Sequence, residues 1–399
     1  MKPEDFTSTL AGRCSQAMGA YWAFHPNPLP PSLELDWKLA KLLSEADLAM
    51  AELSGAGQLL PNPHLLIWPF LRREAISSSR IENTIAEMEE LALFEADPDE
   101  APQRPDVREV ANYVSALETG LHRMRELPIS NRLIRELHEI LLGGVRGGEI
   151  TKTPGEYRRS QNWIGPPGCK LEEATYVPPP PEDMLRAMGE WEKYLHSNSS
   201  EPMLVKCALL HYQFEAIHPF LDGNGRIGRL LITLFLCSQG GLSQPLLYLS
   251  GFFDETRNDY YRYLLAVSRQ GAWRDWVEYF LRGVRQQARI ALAQTQSMLR
   301  LQESLREMLK QAKRPPQIAS RILEELFKNP VFSIGGFCRR NSVKFPTVSR
   351  GVKFWVQQGL LEEFTGKKRN RFFLAKRLLD QMLDTPKPAP SGPSEGSTT

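Results

Sequence analysis

Apolar residues recur at three- and four-residue spacing over most of the chain between positions 35 and 310, as in Leu39, Leu42, Leu43, Ala46 and Leu48, or Leu204, Ala208, His211 and Tyr212. That interval lines up side chains on one face of an α-helix and predicts a mainly helical protein. The pattern breaks twice. Between Thr153 and Pro181, Gly155, Gly165, Pro166, Pro167 and Gly168 punctuate two short runs, Asn162-Trp163-Ile164 and Ala174-Thr175-Tyr176-Val177, which reads as a small β-hairpin flap between helices. Pro178 to Pro181 closes it and opens a helix with Met184, Met188 and Trp191, since proline is tolerated in a first turn. The second break is C-terminal. An amphipathic helix from Ile318 to Phe327 precedes a break at Gly335 and Gly336 and a helix from about Thr347 to Gln358. Leu360 to Phe364, a basic tip from Gly366 to Arg371, and Phe372 to Leu374 follow; helices before a basic-tipped hairpin predict a winged helix. The chain thus divides into an N-terminal helical region (1–125), a core (126–290), a linker helix (291–314), a winged-helix domain (315–383) and a tail (384–399) whose Pro, Ser, Gly and Thr content predicts disorder. No internal repeat is visible.

Composition adds local information only. With 49 basic against 47 acidic residues in 399, the net charge of +2 argues against a chain-wide nucleic-acid coat or an acidic tail. Residues 336–377, however, hold 11 Lys or Arg and 2 Asp or Glu, so the remainder sums to minus seven. Arg350 and Lys353 would face a groove beside Ser349, and Lys367, Lys368, Arg369 and Arg371 would form a wing against phosphates, while Val348, Val352, Trp355 and Val356 pack the domain. Contact with DNA and a docking or homodimerising role both stay open for such a module. The five scattered cysteines lack C-x-x-C spacing, which fits a reducing compartment without structural zinc. The N-terminus shows no basic stretch followed by an apolar one, and the longest apolar run, Leu230 to Cys237, is far too short for a bilayer. The expectation is a soluble cytoplasmic protein, of bacterial type, with no membrane partner.

The chemistry concentrates between His218 and Arg229. A helix delivers the chain to His218-Pro219-Phe220-Leu221-Asp222-Gly223-Asn224-Gly225-Arg226-Ile227-Gly228-Arg229, after which helical periodicity resumes. Gly223 and Gly225 free the backbone to approach an anion, and the next helix begins with unpaired N–H groups and a positive dipole end: a phosphate cradle. Asn224 can donate further hydrogen bonds. Arg226 and Arg229, three apart on the first turn, can clamp separate phosphate oxygens, which suits a polyphosphate. Asp222 supplies the hard oxygen that magnesium takes when water and substrate phosphate provide its other ligands. His218, with a near-neutral pKa, can take the proton of an incoming hydroxyl as general base. Each residue also has an ordinary structural explanation; their co-occurrence in one loop–helix junction favours function.

This run matches every fixed position of the H-P-F-x-D-G-N-G-R-x-x-R signature and so resembles the Fic proteins, a family of protein adenylyltransferases. Gly155-Glu156-Tyr157-Arg158, Leu247-Tyr248-Leu249-Ser250 and Asn258-Asp259-Tyr260-Tyr261 look like accessory blocks of that family. The resemblance implies a helical catalytic core in which His218 is the base, Asp222 holds Mg2+, Asn224 and its neighbouring backbone bind the α-phosphate of ATP, and Arg226 and Arg229 the β- and γ-phosphates. The acceptor would be a Ser, Thr or Tyr hydroxyl of a protein target, or of the protein itself. Asn162, Trp163, Ile164, Thr175 and Tyr176 would dock the target along the flap, and Tyr260 and Tyr261 would stack on adenine.

Upstream, Ser78, Glu82 and Asn83 satisfy the family's inhibitory motif, S/T-x-x-x-E-G/N, on a helix expected near 74–90. The resemblance implies that Glu82 pairs with Arg229 and occupies the fork meant for the γ-phosphate; in some relatives the equivalent glutamate also supports removal of AMP. Two other functions remain in view: a transcription regulator whose loop only senses nucleotide, and transfer of a different group such as phosphocholine.

Overall fold

The computed structural model describes residues 1–17, 21–58, 63–145, 152–366 and 370–383, with the side chains of 63–66 outside the description. The chain opens with an antiparallel hairpin, β1 (Gly12–Ala17) and β2 (Tyr21–Pro26). There follow α1 (Trp37–Gln58), α2 (Pro63–Ile81), α3 (Met88–Ala96), α4 (Pro105–Arg123), α5 (Asn131–Leu142), α6 (Pro181–His196), α7 (Met203–Ile217), α8 (Asn224–Ser238), α9 (Ser250–Glu255), α10 (Arg257–Gln270) and α11 (Trp273–Gln311). The C-terminal module comprises α12 (Ile318–Lys328), β3 (Val331–Ser333), α13 (Ile334–Asn341), α14 (Phe345–Gln357), β4 (Glu362–Glu363), β5 (Phe372–Leu374) and α15 (Lys376–Leu383). Its three strands are antiparallel in the order β3-β5-β4. The mainly helical class with small antiparallel sheets is as the periodicity predicts, and among the described residues no helix is long and apolar enough to cross a membrane.

α7 is the axis of the core. Its residues from Leu204 to Phe214 are all buried, because α6, α8, α10 and α11 pack around it, and an apolar surface on every side is what an enclosed helix requires. α1 lies along α11, and α4 pairs with α5. The 39-residue α11 runs unbroken from the core through most of 291–314, so the linker is its second half rather than a separate helix.

Three local expectations need correction. The region 1–125 is not helical throughout: β1 and β2 precede α1, and the Phe24 N–H donates to the Val177 carbonyl at 2.8 Å. That hairpin rests on a remote segment, so local periodicity does not announce it. The helix expected over 74–90 stops at Ile81, where Asn83 takes a left-handed conformation (φ 64°), and α3 starts only at Met88. Gly335 and Gly336 do not break the chain but sit in α13, whose first turn is capped by Ser333 Oγ accepting from Gly336 N at 3.0 Å.

Candidate active site

The loop between α7 and α8 is shaped by two left-handed residues, His218 (φ 51°) closing α7 and Gly223 (φ 79°) opening α8. Asn224 staples it internally: its Oδ1 accepts from Phe220 N and its Nδ2 donates to Phe220 O, both at 2.8 Å. The Asn224 side chain, 2% exposed, therefore spends its hydrogen bonds on the loop rather than on a ligand. What faces outward is backbone, since the first-turn N–H groups of a helix have no intrahelical acceptor.

Arg229 is buried and held through Nε and Nη2. Its Nε donates to Ser78 Oγ at 2.9 Å, and its Nη2 to Ser78 O and Glu82 Oε1, each at 2.8 Å. Burial disfavours its charge, but Glu82, Tyr260 and Glu215 outweigh that and hold its pKa above the ordinary arginine range. The Glu82 carboxylate lies directly over Gly225, so that a Cβ there would run into it. An anion thus already sits against the start of α8, and it belongs to the chain itself. Arg226 faces the other way, toward Glu109 (3.3 Å) and Asp222 (3.6 Å), with its Nε buried and unpartnered.

Asp222 accepts from Gly223 N at 2.6 Å and from Lys152 Nζ at 2.7 Å. Burial alone would raise its pKa; Lys152 and Arg226 overcome this and keep the carboxylate ionised below its usual range. His218 is held by its carbonyl, which accepts from Arg158 Nε at 2.9 Å, and by Nδ1, 3.3 Å from the Glu215 carbonyl. Donation from Nδ1 assigns the proton to that nitrogen and leaves Nε2 with a lone pair able to accept a proton. Burial, reinforced by Arg158, lowers the His218 pKa to about 4, so the ring is neutral near pH 7.

Two family descriptions match the chain: the Fic/DOC family N-terminal model over residues 40–122 and the Fic/DOC family model over residues 128–236. These two regions carry the N-terminal and Fic domains of the Fic/DOC family. The protein adenylyltransferase Fic of Drosophila yakuba is 33% identical over 158 residues, and that of Drosophila ananassae 32% over the same length. Each match covers 39% of this chain and 28% of the relative, so the chain spans under a third of the length of these curated relatives. Among solved structures, a Fic family protein from Desulfovibrio desulfuricans superposes with a TM-score of 0.54 at 19% identity, covering 87% of this chain and 98% of that one. A Fic domain containing signaling protein from Bacteroides thetaiotaomicron gives 0.50 at 20%, covering 63% and 97%. These two likenesses establish the fold.

Around the Fic loop the other sequence-derived residues divide. Of the flap, Trp163 and Ile164 are about four-tenths exposed, whereas Tyr176 is buried and donates to the Ala216 carbonyl at 2.8 Å. The Tyr176 side chain does not face a target, because its ring fills the core beside Phe24, and its backbone N–H and C=O are both paired with Ile164. Asn162 turns inward and donates to Phe220 O at 2.7 Å. One antiparallel bridge, Ile164 to Tyr176, forms the hairpin, with Thr175 N also donating to Ile164 O at 2.9 Å. Tyr260 is corrected as an adenine platform: it is 1% exposed and bonded to His211 Nε2 at 2.9 Å. Tyr261 stays 42% exposed beside the turn that follows α2, its hydroxyl donating to Ile81 O at 3.3 Å. Asn83 Oδ1 accepts from both terminal nitrogens of Arg257 at 3.1 Å, and its positive φ explains why the family motif takes glycine or asparagine there. Arg350, Lys353 and Arg371 are exposed on the C-terminal module; Lys367, Lys368 and Arg369, and the tail from 384, lie outside the described residues.

Sequence reasoning missed His138. Its Nδ1 accepts from Gly155 N at 2.9 Å, its Nε2 donates to Asp222 O at 3.0 Å, and its ring stacks on Phe220 at 3.7 Å. One buried neutral imidazole thereby joins the flap to the metal-ligand candidate. Its signal was a lone histidine among Leu133, Ile134, Leu137 and Leu141, which reads as core. Glu109 and Arg158 were overlooked for the same reason: each is a buried charge whose partner lies far along the chain. A separate cleft of about 980 Å³ lined by Trp68, Arg72 and Cys237 lies away from the loop, its Arg72 neutralised by Glu95 and Glu118.

Proposed function

We propose that this site transfers AMP from magnesium-bound ATP to a Ser, Thr or Tyr hydroxyl of a protein, the chain itself included, and that Glu82 holds it in an inhibited state. The observation that carries the reading is the Glu82 carboxylate lying over Gly225 and paired with Arg229, an acid group seated where a terminal phosphate would be bound. The relatives named protein adenylyltransferase support the chemistry.

In this mechanism His218 Nε2 takes the acceptor proton while the hydroxyl oxygen attacks the α-phosphorus, and the bond to the bridging oxygen of pyrophosphate breaks. The N–H groups at the start of α8 receive the phosphate charge, with Arg229 available once Glu82 withdraws. Among the described residues no three His, Cys, Asp or Glu cluster as a metal cage, and Asp222 stands as a single ionised carboxylate, the donor pattern magnesium accepts alongside water and phosphates. Asp222 would hold the ion after Lys152 releases it. When bound, magnesium would neutralise phosphate charge.

The test is incubation with α-labelled ATP and cell extract. Glu82→Gly is expected to raise label incorporation at least about tenfold, the scale of one lost charge-assisted pair, and His218→Ala to abolish it. Equal incorporation by wild type and Glu82→Gly would rule out the brake. A second reading rests on the C-terminal module, whose helices and three-stranded β3-β5-β4 sheet support a winged-helix reading, with Arg350 and Lys353 of α14 exposed and without an acidic partner among the described residues. Label absent even from Glu82→Gly, together with salt-sensitive duplex binding, would favour a DNA-binding regulator that senses nucleotide.

A further inference from the structure

The inhibitory turn is the apex of a helix pair, and the C-terminal module grips both arms of that pair. α2 leads into residues 82–87 and α3 leads out. The two are tied together by Arg72 and Trp68, which donate to Glu95 at 3.1 and 3.0 Å. α12 packs on α2, and the Met382 carbonyl in α15 accepts from Arg73 at 3.4 Å. At the far end of α3, buried Asp97 accepts from Ser333 Oγ at 3.0 Å and from Arg339 at 2.5 Å, while Arg340 donates to Ala96 O at 2.7 Å. Asn329 donates to Ala92 O and Asn370 to Glu100, each at 2.8 Å. Gly336 permits the approach, since a Cβ there would stand 2.6 Å from the Ala96 carbonyl. Arg339 and Arg340 therefore supply charge and donors to the negative end of α3, where the last carbonyls have no intrahelical partner. The basic residues of the module are split in use: this pair faces the helix, while Arg350 and Lys353 face solvent.

We propose that the C-terminal module is the clamp of the brake: by holding α3 at its end and α2 at its middle, it fixes Ser78, Glu82 and Asn83 against Arg229, and drawing it off α3 frees Glu82. This rests on the reading of Glu82 as inhibitory. The coupling is mechanical. Residues 82–87 have no helix or strand of their own and are held between the two arms, with Glu82, Asn83 and Thr84 bonded to Arg229, Arg257 and Glu109.

The test uses the full chain with Arg339→Ala and Arg340→Ala combined, whose native side chains are 58% and 45% exposed and hence not needed to fill the core, and separately Asn329→Ala. Amide hydrogen exchange over residues 78–84 is expected to accelerate roughly 3- to 30-fold, the range of couplings carried through packed elements. Label incorporation should rise by a similar factor in the wild-type background and not further on Glu82→Gly. Faster exchange at residues 92–100 with none at 78–84 would overturn the clamp, as would an added gain on top of Glu82→Gly. If Glu82→Gly itself leaves incorporation unchanged, the brake reading fails, and the exchange at 78–84 still decides whether the arms are coupled.

Discussion

Three histidines of the core are kept uncharged: burial, with Arg226, Arg229 and Arg158 respectively adding to it, lowers His138 to about 4, His211 to about 3 and His218 to about 4. An unfolded chain protonates its histidines near pH 6.5, so between there and about 4 the unfolded state binds more protons than the folded one. Each of these side chains thus contributes stability that is whole above pH 6.5 and is lost as pH falls toward its folded value, on the order of 3 kcal/mol when complete. Denaturant unfolding followed from pH 7 to 4 should show this decline, and His138→Asn should flatten it; a pH-independent midpoint would contradict the assignment. Glu215 runs opposite: burial, opposed by Arg229 and reinforced by Glu82, pushes it up to about 7, with Oε1 buried and unpartnered. The candidate residues His218, Asp222 and Arg229 were legible because they share one short run. His138, Glu109 and Arg158 were not, because their partners come from α8, the flap and the loop, and a lone polar residue on an apolar stripe carries no record of what it meets.

At the scale of elements, the α7–α8 junction is specified by close approach. Gly225→Ala would place a methyl group where the Glu82 carboxylate lies and where the proposed phosphate would lie. ATP affinity, measured by calorimetry in the Glu82→Gly background, should fall at least about tenfold without loss of helical content. The turn after α2 depends instead on a left-handed residue: Asn83→Ala imposes about 1 kcal/mol of backbone strain and removes the Arg257 contact, whereas Asn83→Gly keeps the conformation. Incorporation of label should therefore rise for Asn83→Ala and less for Asn83→Gly. Helices were legible wherever one face repeats over several turns, as in α5 and α12. The β1–β2 hairpin was hidden because its support, the Val177 carbonyl, lies some 150 residues away, and Gly336 of α13 misled because it serves packing against Ala96 rather than a turn.

At the scale of the molecule, charge is divided between a nearly neutral whole and a basic C-terminal module. If α14 reads a duplex, replacing Arg350 and Lys353 by alanine should lower the slope of log affinity against log salt by about 2; an unchanged slope would assign the module to protein contacts alone. Finally, Glu82 and Arg229 belong to one covalent chain. If Glu82 is the proposed brake, a carboxylate carried on the same chain is a competitor at a fixed effective concentration, which neither dilution nor expression level alters. Nucleotide titrated against the wild-type protein should accordingly meet the same resistance in a dilute assay as in a concentrated one. Under the proposed brake, control of the site depends on how often the turn opens, a frequency rather than an abundance.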